Sequence, residues 1–251
     1  MRLVVFALSL TLAACGSSEL GGDEEAAADA SADKEEAARP AAGEAPTPTP
    51  TFEAWKLPEG HNPALLDPSL AQETAPSTYK AKFETTKGDF VVQVHRDWAP
   101  AGADRFYNLV KIGFYEKAAF FRTIDGFMSQ FGISGYPEVS AVWREAKIQD
   151  DPVRESNTRG RVTFATAGPN TRTTQLFVNY RDGNARLDQS GFAPFGEVVE
   201  GMDVVDSLHK TGEGHPAGPG PSQGLLQSRG GAYVEAKFPK IDSIKKVTIV
   251  E

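Results

Sequence analysis

The sequence predicts a mainly β fold in which many short strands and two helices form a barrel or a sandwich with helical caps. Apolar and polar side chains alternate with a period of two in several short runs, as half-buried strands require. Apolar residues recur at helical spacing in only two stretches. This pattern predicts a β core with helical caps, but it leaves both a barrel and a sandwich open.

Composition excludes some classes of protein. The chain has 251 residues, a formal net charge of -8 and one cysteine. A general nucleic-acid binder needs a basic face, so nucleic acid is not an expected partner. One cysteine cannot form an internal disulfide or a cysteine-based zinc site. Hydrophobic residues at 40% and fifteen Phe are enough to build a core.

Residues 1–14 are expected to be a signal peptide. Arg2 gives a short positive start, and the apolar run that follows is too short to span a membrane. The run ends Leu12-Ala13-Ala14-Cys15, which resembles the lipobox of bacterial lipoproteins, so Cys15 is the predicted lipidation site. The alternative is an ordinary secretory peptide. Because Gly16 and not Asp follows the cysteine, the resemblance favours the periplasmic face of the outer membrane, within the cell envelope.

Residues 15–51 are expected to be a disordered tether that starts at the lipidated cysteine. Nine acidic residues against two basic ones give this segment a charge of -7, so most of the net charge lies outside the folded part. It has too little apolar surface to fold, and its alternating Pro and Thr favour extended conformations. A featureless spacer is the preferred interpretation, and an acidic docking tail is the alternative.

Residues 52–78 are a proline-containing lead-in that we expect to wrap the surface of the domain formed by residues 79–251. Alternation over 79–84 and 90–95, with a turn at 86–89, predicts a hairpin. Pro100 suits the first turn of a helix, and Gly113 suits its end.

Later elements are shorter. We predict four strands from short apolar runs, at 119–122, 161–165, 176–179 and 194–199. A second short helix is expected at 202–208 and a final strand at 244–250. The segments 133–158 and 212–231 are expected to be inserted loops, and the second holds seven Gly and three Pro. Ordinary insertion is the preferred interpretation of both, with a role in substrate choice as the alternative.

Other chemistries find little support. None of the four histidines has a partner at a metal-binding helical spacing, and no G-x-S-x-G motif occurs. His95 is expected to be an ordinary surface residue. The sequence implies no metal and no cofactor.

Four motifs carry the functional prediction. They are FFRTIDGFMSQ at 120–130, FATAGPNT at 164–171, QLFV at 175–178 and FGEVVEGMDVV at 195–205. In this order and spacing they resemble the cyclophilin family of peptidyl-prolyl cis/trans isomerases, over roughly residues 79–250. The resemblance implies a closed eight-stranded antiparallel barrel with a helix at each end. It also implies proline-containing polypeptides as partners, and we expect a monomer.

The resemblance also assigns roles. Arg122 corresponds to the catalytic arginine and Gln130 to the glutamine that positions it. The residues that correspond to the substrate-binding surface are Phe127, Met128, Ala165, Thr166, Gln175, Phe177, Leu187 and Phe192. No covalent step is needed, because a fixed cationic donor can stabilise the twisted amide of an X-Pro bond.

Two departures from the family pattern keep an alternative open. Arg186 stands where many eukaryotic members have Trp, and Phe192 lies near the position of a His. The missing Trp puts tight cyclosporin binding in doubt. The missing His removes one wall of the pocket, and the Phe192 side chain can supply an apolar wall in its place. The expected function is a prolyl isomerase that assists protein folding in the envelope. The alternative is a non-catalytic module or chaperone that holds proline-containing segments in the same groove.

Overall fold

The structure is a computed structural model that describes residues 53–250. The predicted signal peptide, Cys15 and the tether lie outside the described residues. Within the described part, no helix is long and apolar enough to cross a membrane.

In the described residues, eight strands form one antiparallel sheet. In chain order they are Thr78–Thr85 (β1), Asp89–His95 (β2), Arg122–Ile124 (β3), Met128–Phe131 (β4), Arg161–Phe164 (β5), Leu176–Asn179 (β6), Pro194–Glu200 (β7) and Ile244–Val250 (β8). Their order across the sheet is β3-β4-β6-β5-β7-β2-β1-β8. The prediction of a mainly β fold with eight antiparallel strands is confirmed.

The first hairpin shows why these residues form strands. Buried and partly exposed side chains alternate along both strands, so one face of the hairpin turns to the core. Phe83 and Phe90 are opposite each other in the register, and their rings stack with centroids 4.5 Å apart. Phe131 from β4 and Phe106 contact the same cluster, which makes an aromatic core under the sheet.

The predicted closed barrel is not confirmed. The sheet is curled, and β3 and β8 are its two end strands. Near these ends the backbone is joined by one isolated bridge, Ala119 to Ser243, and by hydrogen bonds of 2.8–3.0 Å around Ile244. The first of the four short predicted strands is displaced, because Ala119 makes only this bridge and β3 starts at Arg122.

The described residues contain more helix than the sequence predicts. The α-helices are Pro100–Lys111 (α1), Pro137–Trp143 (α2), Met202–Asp206 (α3), Gln223–Arg229 (α4) and Gly231–Lys237 (α5). The predicted pair corresponds to α1 and α3, and the expectation of two helices is therefore wrong.

The extra helices lie in or next to the two segments expected to be loops. In the second segment, the Ser222 side chain accepts a hydrogen bond from the Leu225 N–H and so caps α4. Leu226, Tyr233 and Val234 are buried in a second apolar cluster with residues that include Phe121. Tertiary burial thus stabilises a helix in a stretch whose glycines and prolines predict a loop.

The lead-in contacts the rest of the described domain. It forms two short 3-10 helices, Pro63–Leu65 and Pro68–Leu70. Ala64 and Leu65 are buried, and the Trp143 indole N–H donates to the Leu65 carbonyl at 3.0 Å. The segment 133–158 therefore supports the lead-in through α2.

Candidate active site

Arg122 and Gln130 face each other across the first two strands of the sheet. They are register partners of β3 and β4, so their side chains leave the sheet on the same face. Arg122 Nη1 donates to Gln130 Oε1 at 3.1 Å. Gln130 Nε2 in turn donates to Gln175 Oε1 at 2.9 Å. The structure therefore joins three of the predicted site residues in one hydrogen-bonded chain.

The alternation of β4 separates core from site. Phe131 belongs to the core, and Ser129 shares a 2.8 Å hydrogen bond with Thr123 under the sheet. Met128 and Gln130 must then emerge on the opposite face. The Met128 sulfur lies 4.0 Å from Arg122 Nη1, which places a polarisable apolar group beside the cation.

Aromatic side chains complete this face. Phe177 on β6 is the register partner of Gln130 and is 5% exposed. The ring of Phe192 meets it edge-on with centroids 5.8 Å apart. The Phe127 ring lies within 6 Å of two guanidinium carbons, those of Arg122 and Arg186. An apolar patch on which a proline ring could pack therefore lies beside the guanidinium of Arg122.

The other predicted residues lie at the margins of this patch. Ala165 and Thr166 follow β5, and the Ala165 N–H donates to the Gln175 carbonyl at 2.9 Å. The Thr166 hydroxyl turns away into a tight turn with Thr171 and the Gly168 carbonyl. Leu187 lies in the 3-10 helix Asp182–Ser190 and is half-buried; its carbonyl accepts from the Phe192 N–H at 3.3 Å.

A buried network of asparagines supports the patch from below, and the sequence did not indicate it. Asn184 donates to the Phe127 carbonyl at 2.7 Å and to Asn179 at 2.8 Å. Asn157 donates to the Phe192 carbonyl at 2.8 Å and to Asp188 at 2.7 Å. These residues come from three separate segments, so no local motif could have identified them. The network therefore fixes the backbone at Phe127 and at Phe192.

Asp188 is the charged member of that network. Burial raises the pKa of its carboxyl, but hydrogen bonds from Ser156 and Asn157 outweigh this effect and hold the pKa below the usual 3.8. The carboxylate form is therefore the one that holds the 3-10 helix against the segment at 156–157.

Glu213 is a second residue that the sequence analysis missed. Its carboxylate forms a two-point ion pair with the guanidinium of Arg122, through Nε and Nη2, with both distances 2.6 Å. The residues are 91 positions apart, and Glu213 lies in the glycine- and proline-rich segment. The conformation of this loop brings the carboxylate to the site.

Among the described residues, no group of three or more His, Cys, Asp or Glu side chains is placed to hold a metal.

Comparison with solved structures identifies the class of fold. A cyclophilin type peptidyl-prolyl cis-trans isomerase from Cryptosporidium parvum superposes with a TM-score of 0.52 at 20% identity, over 69% of this chain and 98% of that one. A second structure of the same protein, obtained in the presence of the dipeptide Ala-Pro, gives a TM-score of 0.51 at 20% identity, over 68% of this chain and 99% of that one. The fold is that of the cyclophilins.

Sequence comparison identifies the family. Residues 80–223 match the model of the cyclophilin type peptidyl-prolyl cis-trans isomerase/CLD family. Peptidyl-prolyl cis-trans isomerase B of Escherichia coli is 33% identical over 183 residues, which cover 67% of this chain and 98% of that protein. A peptidyl-prolyl cis-trans isomerase of Acinetobacter baylyi is 34% identical over 133 residues, covering 51% of this chain and 70% of that protein.

The chain belongs to the cyclophilin-type peptidyl-prolyl cis-trans isomerases and is an enzyme of that class. The family predicted from the four motifs is therefore confirmed.

Proposed function

We propose that this isomerase acts on X-Pro bonds of polypeptides in the bacterial cell envelope and so assists their folding. In this proposal it is held at the membrane by lipid on Cys15, on the periplasmic face of the outer membrane. The observation that carries the catalytic part is the Arg122 guanidinium fixed by Gln130 beside Met128 and Phe177. The cysteine motif Leu12-Ala13-Ala14-Cys15 supports the location.

The proposed mechanism is electrostatic and non-covalent. An X-Pro amide resists rotation by roughly 20 kcal/mol because its C–N bond has partial double-bond character. At the twisted midpoint this resonance is lost, and the nitrogen lone pair becomes a hydrogen-bond acceptor. A guanidinium N–H from Arg122 donates to that nitrogen and binds the twisted amide more strongly than the planar one.

The neighbouring residues hold the substrate for this step. Met128, Phe177 and Phe192 offer a largely buried apolar surface on which the proline ring can lose its contact with water. Ala165 and Thr166 are proposed to pair with the substrate backbone, and Leu187 and Phe127 to flank the ring. Gln130 and Gln175 orient the arginine and bind substrate carbonyl or amide groups.

The catalytic role of Arg122 can be tested with a protease-coupled assay on an Ala-Pro-Phe peptide. We expect the domain to accelerate isomerisation and Arg122→Ala to lower kcat/KM by roughly 10²-fold, the scale reported when a preorganised donor is removed. Arg144→Ala is the matched control, because Arg144 is 58% exposed and pairs with Glu145.

The same assay can contradict the assignment. If Arg122→Ala and the wild type accelerate isomerisation equally, Arg122 is not the catalytic group. If neither accelerates isomerisation but both bind proline peptides, the groove is a binding module or chaperone surface.

The anchor has its own test. We expect Cys15→Ser to move the protein from the membrane fraction to the soluble fraction of the native host, because no acyl chain can then be attached. A membrane fraction that is unchanged in the variant would refute lipid attachment at this residue.

A further inference from the structure

The ion pair between Glu213 and Arg122 occupies the Nε–Nη2 edge of the guanidinium, and Gln130 accepts from Nη1 on the other side. An arginine has five N–H donors in a planar fork. Glu213 takes one from Nε and one from Nη2, and Gln130 takes one from Nη1. Among the contacts of the described residues, one N–H on Nη2 has no acceptor, and the second N–H of Nη1 meets only the Met128 sulfur, a weak acceptor 4.0 Å away. The carboxylate therefore fixes the plane of the guanidinium without using all of its donors.

The loop that carries Glu213 is fastened to the strand that carries Arg122. The Thr123 N–H donates to the Thr211 hydroxyl at 2.7 Å, and the Gly212 N–H donates to the Thr123 carbonyl at 3.0 Å. Thr123 is the next residue after Arg122. The position of Glu213 relative to Arg122 is therefore set by hydrogen bonds to the Thr123 backbone, and does not depend only on the two long side chains.

The loop is also built closely around Glu213. The Gly220 N–H donates to the Glu213 carbonyl at 2.8 Å. A Cβ on Gly218 would lie 2.6 Å from that carbonyl oxygen and 2.7 Å from the Glu213 Cβ, which no side chain tolerates. The glycines of this segment thus permit a turn that a longer side chain would block.

We infer that Glu213 is a positioning residue for the isomerase reaction: it holds the Arg122 guanidinium so that its free end faces the proline amide nitrogen. The inference rests on the proposed catalytic role of Arg122. Preorganised donors stabilise a transition state because they need no reorientation during the reaction. An arginine held only by Gln130 keeps other rotamers available, and in those the donor is misplaced.

The test is the kinetics of Glu213→Gln and Glu213→Ala beside the wild type. We expect kcat to fall about tenfold in both variants, with KM within about twofold, because the substrate surface is intact and only donor alignment is lost. Glu235→Gln is the matched control, since it removes an exposed acidic group nearby in sequence. Wild-type kinetics in both Glu213 variants, or a higher kcat/KM, would overturn the inference; the second result would mean that the carboxylate competes with substrate.

A double variant separates positioning from simple stabilisation. Lysine cannot make the two-point contact. In an Arg122→Lys background, Glu213→Gln should therefore change kcat by less than about twofold, so that the two substitutions are not additive. Additive losses would show that Glu213 acts on the fold or on another residue, and they would overturn the inference.

A measurement on the wild type, with Arg122→Lys needed only to assign the signal, keeps the inference testable if the Glu213 variants do not fold. The Arg122 Nε–H signal in a ¹⁵N-¹H spectrum, assigned by its loss in Arg122→Lys, should exchange with water far more slowly than that of the exposed Arg144. Equal exchange rates would contradict a fixed guanidinium. An inactive wild type, or an active Arg122→Ala, would instead overturn the proposed function, and the kinetic role of Glu213 with it.

Discussion

At the residue scale, the site is ordered by side chains that reach across from other segments. Gln130 connects Arg122 with Gln175, and Glu213 holds the opposite edge of the same guanidinium. Asn157 and Asn184 fix the backbone that presents Phe192 and Phe127. The candidate site is thus small, but the residues that orient it come from five different stretches of chain.

Asp188 gives a prediction about pH. Its folded pKa is below the unfolded value of 3.8, so the folded state binds fewer protons there in acid. Its contribution to stability is therefore present above about pH 4 and is lost as the pH falls through the folded pKa. We expect Asp188→Asn to be less stable than the wild type at pH 7, and the difference in melting temperature to shrink below pH 4.

Thermal unfolding at a series of pH values from 7 to 2.5 measures this difference. Glu235→Gln, in which an exposed carboxylate is removed, serves as the control and should track the wild type throughout. A difference between Asp188→Asn and the wild type that stays constant down to pH 2.5 would contradict the prediction.

The residues predicted from sequence are those whose chemistry lies in a local motif. Arg122, Met128 and Gln130 fall within eleven consecutive residues and reach one face because strands alternate. Glu213 has no such neighbourhood. Its segment is rich in Gly and Pro, which predict a turn and say nothing of what the turn approaches. No local sequence pattern could therefore predict the contact between Glu213 and Arg122, which are far apart in the chain.

At the scale of elements, the helix α1 shows how an insertion supports the core fold. Its N-cap residue Ala99 makes no side-chain cap. Instead Asp151, from the segment 133–158, accepts hydrogen bonds from the N–H groups of Ala101 and Gly102, both at 2.9 Å. The same carboxylate pairs with Arg172 at 3.0 Å. A carboxylate at a helix N-terminus is favourable for both the orphan donors and the dipole.

Replacing Asp151 should therefore be costly. The Asp151 and Arg172 side chains are 6% and 3% exposed, so Asp151→Ala leaves a buried cation with fewer partners. Breaking such a pair typically costs about 3–5 kcal/mol. We expect a loss near the lower end, because Asp150 and the Gln149 carbonyl still contact Arg172.

Urea denaturation measures this loss as a fall in the free energy of unfolding. Asp150→Ala is the matched control, because Asp150 is 35% exposed and its removal leaves the buried pair intact. A loss no larger for Asp151→Ala than for Asp150→Ala would show that the buried carboxylate does not support α1.

The same element explains a limit of the sequence analysis. The start of α1 at Pro100 was predicted, because proline suits the first helical turn. The group that caps it was not, since capping rules consider the residue at the helix start and here the cap comes from 50 positions away. The helices α4 and α5 were missed for a related reason: burial against Phe121 stabilises them, and local propensity does not reveal it.

At the scale of the whole molecule, the lead-in packs against the domain and contributes to its core. Leu65 is buried and its carbonyl accepts from the Trp143 indole N–H, and Trp55 lies against Gly231, where an added Cβ would come within 2.1 Å of the indole ring. Lys117 lies over the same ring, 5.1 Å from its centroid. The segment packs against two of the helices that the sequence did not predict.

A chain that begins at Gln72 should be less stable than one that begins at Glu53. Burial of one leucine side chain is worth about 1.5–3 kcal/mol, and the truncated chain also loses the Trp55 contacts and leaves the Trp143 indole N–H without its acceptor. We expect the free energy of unfolding to fall by about 3 kcal/mol in urea denaturation.

Activity at a temperature where both chains are folded should be unchanged, because none of these lead-in contacts is made by a predicted site residue. Identical urea midpoints for the two chains would mean that the lead-in only rests on the surface.

The hydrogen bonds between the 211–213 loop and β3 also bear on whether copies of this chain aggregate with one another. Strand β3 is an end of the sheet, and an end strand normally offers backbone N–H and C=O groups on which a foreign strand can add. At Thr123 both groups are already bonded to Thr211 and Gly212. The backbone of β3 at Thr123 is therefore not available for edge-to-edge pairing with another chain, although the same strand carries Arg122 on the face of the candidate site.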